Sequence, residues 1–462
     1  MEIPRIPEII HSNSEGGTYK LNKYDYIGML LSFFTVFTVL IIVESKDFMG
    51  TPIIIGDSSL FNVNSSAQFM LSQQSPWLIA LTLIFYKINP DIFGLFYNGF
   101  NIIPMLMMPI TMYILLTKLQ FSIPSKILGS ILYVINPMIL LWGGWEYAGP
   151  LMFLPLIIIP MISYSDDRKF IHLINSGIFL FLFMDILGVS QIKLIWPVVA
   201  FILLYLILYS ARRNLLKTLV HTLFFILFTF VISLPIIIIT YGQFNVYSNN
   251  FHQASSNVYN IEIGIVKYVY SASNLQNAIM GLNAYPGSPL QTSGYINSFQ
   301  SAGWFMIVIL GMAASLLYEG KYKLLYKILF TLDVILVIFQ FGVYNGTFLF
   351  LFRYDFTFIY NYPLFLNIMQ IFIYSLFFSI LIDKLYRGEI NVIQNKRLFW
   401  LNTKNKARIL AILAVLLILF SSMPIIEYSH AQSDKSQKYA MPAYWYEIWD
   451  VLSKYQDSKV LV

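Results

Sequence analysis

The sequence has no cysteine. That absence excludes a disulfide framework, a thiol nucleophile and any Cys-based metal site. Charge is scarce too: Asp, Glu, Lys and Arg make up 11% of the 462 residues, against about 25% in a soluble domain. Histidine is rare and scattered, since His11, His172, His221, His252 and His430 form no His-x-x-x-His pair. No metal-ligand spacing follows from them, and no metal residue is assigned. No cleavable signal is expected from Met1 to Asp25, which is polar and lacks a basic head followed by an apolar core. What is abundant is apolar surface, with 58% hydrophobic residues and a mean hydropathy of +0.68. The composition predicts an all-α, polytopic transmembrane helical bundle.

A bilayer core about 30 Å thick takes around 20 apolar residues in a helix. On that criterion spans are expected near 26–43, 92–117, 123–141, 149–164, 171–189, 194–210, 218–240, 302–318, 325–344, 363–383 and 409–426. The apolar stretch Trp77–Phe85 is too short to cross and reads as a re-entrant or interfacial helix. Pro137, Pro150, Pro155 and Pro160 predict broken helices within 123–141 and 149–164. Three regions follow: a cytoplasmic N-terminal segment 1–25, a membrane domain 26–426 with outer loops 44–91 and 241–301, and an outer tail 427–462. The tail's last residues, Ser458-Lys-Val-Leu-Val462, read as the start of a β-strand. They are expected to begin a soluble outer domain that this chain does not contain.

The net charge of +6 points to membrane topology, because the cations cluster beside apolar runs. A nucleic-acid partner is not expected. With the N-terminus inside, 20 of the 29 lysines and arginines fall on inner segments, among them Lys118, Lys126, Arg168, Lys169, Arg212, Arg213, Lys321, Lys384 and Arg387. The loop 241–301 carries Lys267 alone. The consistent solution is N-in and C-out with about eleven spans.

Chemistry-bearing residues gather on the outer segments of this topology. Asp57 stands in Ile-Ile-Ile-Gly-Asp-Ser-Ser-Leu-Phe, beyond the outer end of the first span. A carboxylate there can act as general base toward a sugar hydroxyl, or hold a divalent cation against a phosphate. An ordinary helix cap is the plain alternative. Glu44 and Asp47 are weaker candidates in the same loop. Trp142-Gly-Gly-Trp145-Glu146-Tyr147-Ala-Gly149 forms a second group, read as a turn between two spans. Its rings and one acid suit sugar faces and hydroxyls, and an interfacial aromatic belt is the plain alternative. Arg353-Tyr-Asp355 is the third group. Its guanidinium can grip a lipid-linked phosphate in two-pronged fashion, and a local Arg353–Asp355 pair is the plain alternative. Asp185 and Asp333 lie inside apolar runs, where ionisable groups are costly. Asp333 is read as a protonated partner in helix–helix hydrogen bonding, with a proton or ion path as the other reading.

This layout resembles the GT-C class of integral-membrane glycosyltransferases. The resemblance rests on the acid-bearing first outer loop with Asp57, the short apolar segment after Trp77, the Asn136-Pro137 dipeptide closing a span, and the outer tail from Met441-Pro-Ala-Tyr-Trp-Tyr toward Lys459-Val-Leu-Val. It covers the layout of most of the chain, and the tail is similar to that of the arabinofuranosyltransferase-like and related branches. Members often carry two acids adjacent or one apart in the first outer loop, whereas this one has Gly-Asp-Ser. The Trp-Trp-Asp-Tyr-Gly signature of oligosaccharyltransferases is absent.

What the resemblance implies is an inverting transferase of the cell membrane, active on the outer face. It would move a sugar from a polyprenyl-phosphate donor to a glycan or glycolipid acceptor, with Asp57 as catalytic base. Membrane lipids are the other expected partner. No cofactor is required, though a divalent cation is compatible with the chemistry. Two readings from other classes stand beside it: a lipid-linked-sugar or polysaccharide transporter, and a non-catalytic envelope scaffold.

Overall fold

A computed structural model describes residues 21–44, 90–142, 145–187, 195–210, 215–254, 274–282, 295, 299–344, 363–387, 413, 416–418 and 420–422. All regular structure among them is helical. In chain order the helices are α1 (Lys23–Glu44), α2 (Pro90–Lys118), α3 (Ile123–Val134), α4 (Pro137–Trp142), α5 (Trp145–Asp167) and α6 (Phe170–Leu187). They continue with α7 (Ile195–Ser210), α8 (Leu215–Ala254), α9 (Leu275–Met280), α10 (Phe299–Leu316), α11 (Lys323–Tyr344) and α12 (Pro363–Arg387). Six helical stretches among the described residues are long and apolar enough to cross a membrane, beginning at Lys23, Ile123, Gly149, Leu216, Lys323 and Leu366, the second running through α3 and α4. Shorter apolar helices cover Ile103–Lys118, Phe170–Met184, Pro197–Leu208 and Ser301–Leu316.

The bundle is built around α12, which packs on α3, α5, α7, α10 and α11. Its stretch Leu366–Arg387 is 94% buried, whereas Leu216–Pro235 of α8 is only 22% buried. That contrast is written in composition. α12 alternates Phe, Ile and Leu with Asn367, Gln370, Ser375 and Ser379, all inaccessible to solvent. In lipid, association cannot draw on hydrophobicity alone, so small and polar residues mark the seams between helices. Accordingly Ser125 Oγ donates to the Ser379 carbonyl at 2.5 Å. Gly311 brings α10 so close to α12 that a Cβ would stand 3.2 Å from the Phe377 backbone. The exposed face of α8, with Leu216, Leu219, Leu223, Phe224, Leu227 and Phe230, is instead suited to acyl chains.

Proline acts in two ways. The expected break occurs at Pro137, where α3 ends and α4 begins, and Asn136 splints it. Its Nδ2 donates to the Tyr133 carbonyl at 2.9 Å, while Oδ1 accepts from the Met138 and Ile139 amides at 3.1 and 3.0 Å. One buried side chain therefore satisfies the end of one helix and the start of the next, with Pro at the first helical position. Asn136-Pro137 splits a span in two rather than closing it. The second expected break does not occur, for α5 runs unbroken through Pro150, Pro155 and Pro160. Each proline forfeits only one N–H bond, and neighbouring helices keep the freed carbonyls from lipid.

Two expected boundaries are corrected. The turn drawn from Trp142 to Gly149 is largely helix, since α4 ends at Trp142 and α5 begins at Trp145. The loop 241–301 is partly helical: α8 continues to Ala254, a 40-residue helix about 60 Å long, and α9 lies further along. The short helix expected at 77–85 and the outer tail fall outside the described residues.

Candidate functional site

Polar contacts identify one end of the bundle. Asn22 and Asp25 cap α1 reciprocally, the Asn22 amide to Asp25 Oδ2 at 3.2 Å and the Asp25 amide to Asn22 Oδ1 at 2.9 Å. Lys126 Nζ, at the start of α3, pairs with Asp25 Oδ1 at 2.7 Å. Asp166, at the end of α5, takes Lys118 at 3.4 Å and Lys321 at 2.6 Å. Asp383, near the end of α12, accepts from the Ser122 amide at 2.7 Å and pairs with Arg387 Nε at 2.9 Å. Arg387 Nη2 also donates to the carbonyl of Gln120 at 3.0 Å, a residue in the left-handed region with φ 64°. Lys384 Nζ donates to the Leu317 carbonyl at 2.6 Å, and Arg168 Nη1 to Thr218 Oγ1 at 3.0 Å. The starts of α1, α3, α8 and α11 thus meet the ends of α2, α5, α10 and α12. This is the basic end.

Antiparallel connectivity then assigns the opposite end. The chain leaves α1 at Glu44 and re-enters at the start of α2, Pro90. It turns between α4 and α5 near Trp142 and Trp145, and passes from Tyr344 of α11 to Pro363 of α12. All three sequence-derived groups hang from these junctions. Asp57, Arg353 and Asp355 themselves lie outside the described residues. Trp142, Trp145, Glu146 and Tyr147 are described as helix backbone only, as is Asp185 in α6. Distances between the members of the three groups are therefore not part of the described structure.

What the structure does assemble is a cluster that the sequence reading reached only through Asp333. Helix α9 enters the bundle from the connection between α8 and α10, and packs on α10 and α11. Asn274 caps its start, Oδ1 accepting from the Asn277 amide at 2.7 Å. Gly281, at φ +63°, closes its end in the left-handed region, which only glycine enters at no cost. The last four carbonyls of a helix have no partner within it, and here each is supplied from outside. Asn277 O accepts from the Leu282 amide at 2.9 Å, and Ala278 O from Gln370 Nε2 at 3.0 Å. Ile279 O accepts from Tyr374 Oη at 2.6 Å, and Met280 O from Trp304 Nε1 at 2.8 Å. By helical rise, Gln370 lies about 10 Å along α12 from Pro363. The C-terminus of α9 is therefore seated within the bundle.

Gln370 is the hub of this cluster. Its Nε2 also reaches Asp333 Oδ1 at 3.1 Å and Tyr374 Oη at 3.0 Å, and its Oε1 accepts from Gln340 Nε2 at 2.8 Å. Asp333 is wholly inaccessible to solvent. The expected helix–helix hydrogen bond of Asp333 is thus present, between α11 and α12. The sequence carried further signals for it. Gln340 and Asp333 are seven residues apart on α11, and Gln370 and Tyr374 four apart on α12, so each pair shares a helix face. Asn274 before Leu275 and Gly281 after Met280 are start and stop signals within the long loop.

Comparison with protein-family models, with curated proteins and with solved structures found no match. Among the described residues the fold defines the class: an all-helical bundle with helices long and apolar enough to cross a membrane.

Proposed function

We propose that the chain is a membrane glycosyltransferase of the GT-C type, inserted N-in and C-out with about eleven spans and active on the outer face. One observation carries this reading. The connections that hold Asp57, the Trp142–Tyr147 group and Arg353–Asp355 all spring from the end of the bundle opposite its basic end. Lysine and arginine favour the cytoplasmic side, which supports an outer location for all three groups, where a polyprenyl-phosphate sugar would be met.

In the proposed reaction Asp57 takes the proton of an acceptor hydroxyl. The oxygen attacks the anomeric carbon, the bond to polyprenyl phosphate breaks, and the configuration inverts. Arg353 offsets the charge gathering on the departing phosphate, the kind of electrostatic contribution that is usually largest in such sites, and Asp355 belongs to the same substrate-binding group. Glu146 with Trp142, Trp145 and Tyr147 orients the sugar. Purified protein supplied with polyprenyl-phosphate sugars and envelope glycan acceptors is expected to transfer sugar, and Asp57→Asn to reduce transfer by about 10²–10⁴-fold. Unchanged transfer in the variant would remove Asp57 from the mechanism, and no transfer from any donor would remove the enzyme.

A transporter of lipid-linked sugars is the second reading. It is favoured by Asp333, an acid deep among apolar helices, beside a short helix whose end is seated within the bundle. Transporters use such interrupted segments near the bilayer midplane.

A further inference from the structure

A cavity of about 160 Å³ opens at the basic end, where the α2–α3 turn, the α10–α11 turn and the end of α12 meet. That is roughly ten times the space one buried water requires. Lys321, Lys384 and Arg387 line it, beside Glu319 and Asp383. Both carboxylates are engaged. Asp383 accepts from the Ser122 amide at 2.7 Å and from Arg387 Nε at 2.9 Å, and Glu319 lies 3.8 Å from Lys323. The cations have donors to spare. Among the described residues Lys384 uses one ammonium hydrogen of three, on the Leu317 carbonyl at 2.6 Å. Arg387 uses two of its five N–H groups, on Asp383 and on the Gln120 carbonyl at 3.0 Å. Lys321 meets Asp166 at 2.6 Å and lies 5.3 Å from the centre of the Tyr322 ring.

The surface of α10 supplies a second observation. Met306, Leu310, Ala313 and Leu317 are all exposed, and their spacing of three and four residues aligns them on one face. This apolar stripe ends beside the cavity, since the Leu317 carbonyl is the one that Lys384 holds. We propose that the cavity binds the phosphate of an anionic glycerophospholipid, whose acyl chains lie along the α10 stripe. Lys384 and Arg387 stand three residues apart on α12 and so share a helix face, and Lys321 joins them from the α10–α11 turn. A guanidinium and two ammonium groups suit a phosphate diester, whose oxygens accept charge-assisted hydrogen bonds. Basic pockets between membrane helices select anionic headgroups on this principle. A free phosphate ion offers the same oxygens but nothing to cover the stripe, and a zwitterionic lipid brings a cation of its own. The bonds to the Gln120 and Leu317 carbonyls cap helix ends, which accounts for one contact each and not for the cavity or the stripe. The bound lipid ties α2, α10 and α12 together at this end, independently of the chemistry proposed for the opposite one.

The test uses the full chain in a neutral detergent, with bound lipid counted by native mass spectrometry. Phosphatidylglycerol and phosphatidylcholine with identical acyl chains are offered together at equal concentration. At least one phosphatidylglycerol per chain is expected to be held about tenfold more tightly than phosphatidylcholine. Millimolar inorganic phosphate is expected not to displace it. Lys384→Gln keeps a donor for the Leu317 carbonyl but removes the charge, and should weaken phosphatidylglycerol binding about tenfold, the loss of one charge-assisted hydrogen bond. Should that variant not fold, Lys321→Gln, at a half-exposed position, is expected to act alike. Lys169→Gln, at the same end but outside the cavity, should leave binding unchanged. Equal retention of the two lipids would overturn the site, as would a loss at Lys169 equal to that at the cavity lysines. Displacement by inorganic phosphate would overturn the lipid as its occupant.

Discussion

Asp25 and Lys126 are paired at 2.7 Å with side chains only 3% and 6% exposed. Removing two charges from water costs several kcal/mol per ion, so such a pair is sound only where the remaining lone pairs and protons are also met. Here they are. Asp25 Oδ2 accepts from the Asn22 amide, and the Lys126 ammonium lies 5.9 Å from the centre of the Tyr113 ring, within cation–π range. Lys126→Met leaves the Asp25 carboxylate buried without its cation. It is expected to lower stability by about 3–5 kcal/mol, read as a fall in melting temperature in detergent. Asp25→Asn added to Lys126→Met should recover most of the loss, because the uncompensated charge is then gone. A double variant no better than the single would show that the pair acts through packing.

Among the elements, α9 is the one whose position depends on a single backbone angle. Gly281 sits at φ +63°, and a Cβ there would come within 3.1 Å of the Tyr374 ring and 3.3 Å of Gln370 Cβ. Gly281→Ala is expected to destabilise by about 1–2 kcal/mol from backbone conformation alone. It should also loosen the 275–282 segment, measurable as faster amide exchange there than in α12. Gly303, inside α10, is the control. Its added Cβ would meet only ordinary contacts of 3.4–3.6 Å, so Gly303→Ala should be neutral or stabilising by up to about 1 kcal/mol. Equal damage at both positions would mean that the left-handed turn is not what seats α9.

For the whole molecule, the arrangement of charge is what links fold to function. Lys169, 69% exposed, lies at the basic end between α5 and α6, and Gln276 is exposed on α9, which enters from the opposite end. Because the chain has no cysteine, single cysteines at these positions report sidedness cleanly. In intact cells a membrane-impermeant maleimide is expected to label Gln276→Cys, and to label Lys169→Cys only after permeabilisation. The reverse pattern would put the Asp57 connection in the cytosol and remove the basis for an outer-face transferase.

Composition and hydropathy by themselves determined that this is a helical membrane protein, because apolar runs of span length have few stable alternatives to helix in lipid. They also marked Asp333 as unusual and Pro137 as a break. Only the tertiary structure decided which helix is central. α8 and α12 are both long and apolar, yet one keeps an exposed face and the other is enclosed, and in α12 polar residues such as Gln370 pair across helices. The seating of α9 was likewise beyond a linear reading. Its four terminal carbonyls are met by Leu282, Gln370, Tyr374 and Trp304, so most of its partners lie tens of residues away along the chain. A run of span length can be read from local pattern, whereas a hydrogen-bond hub exists only once distant segments have been brought together.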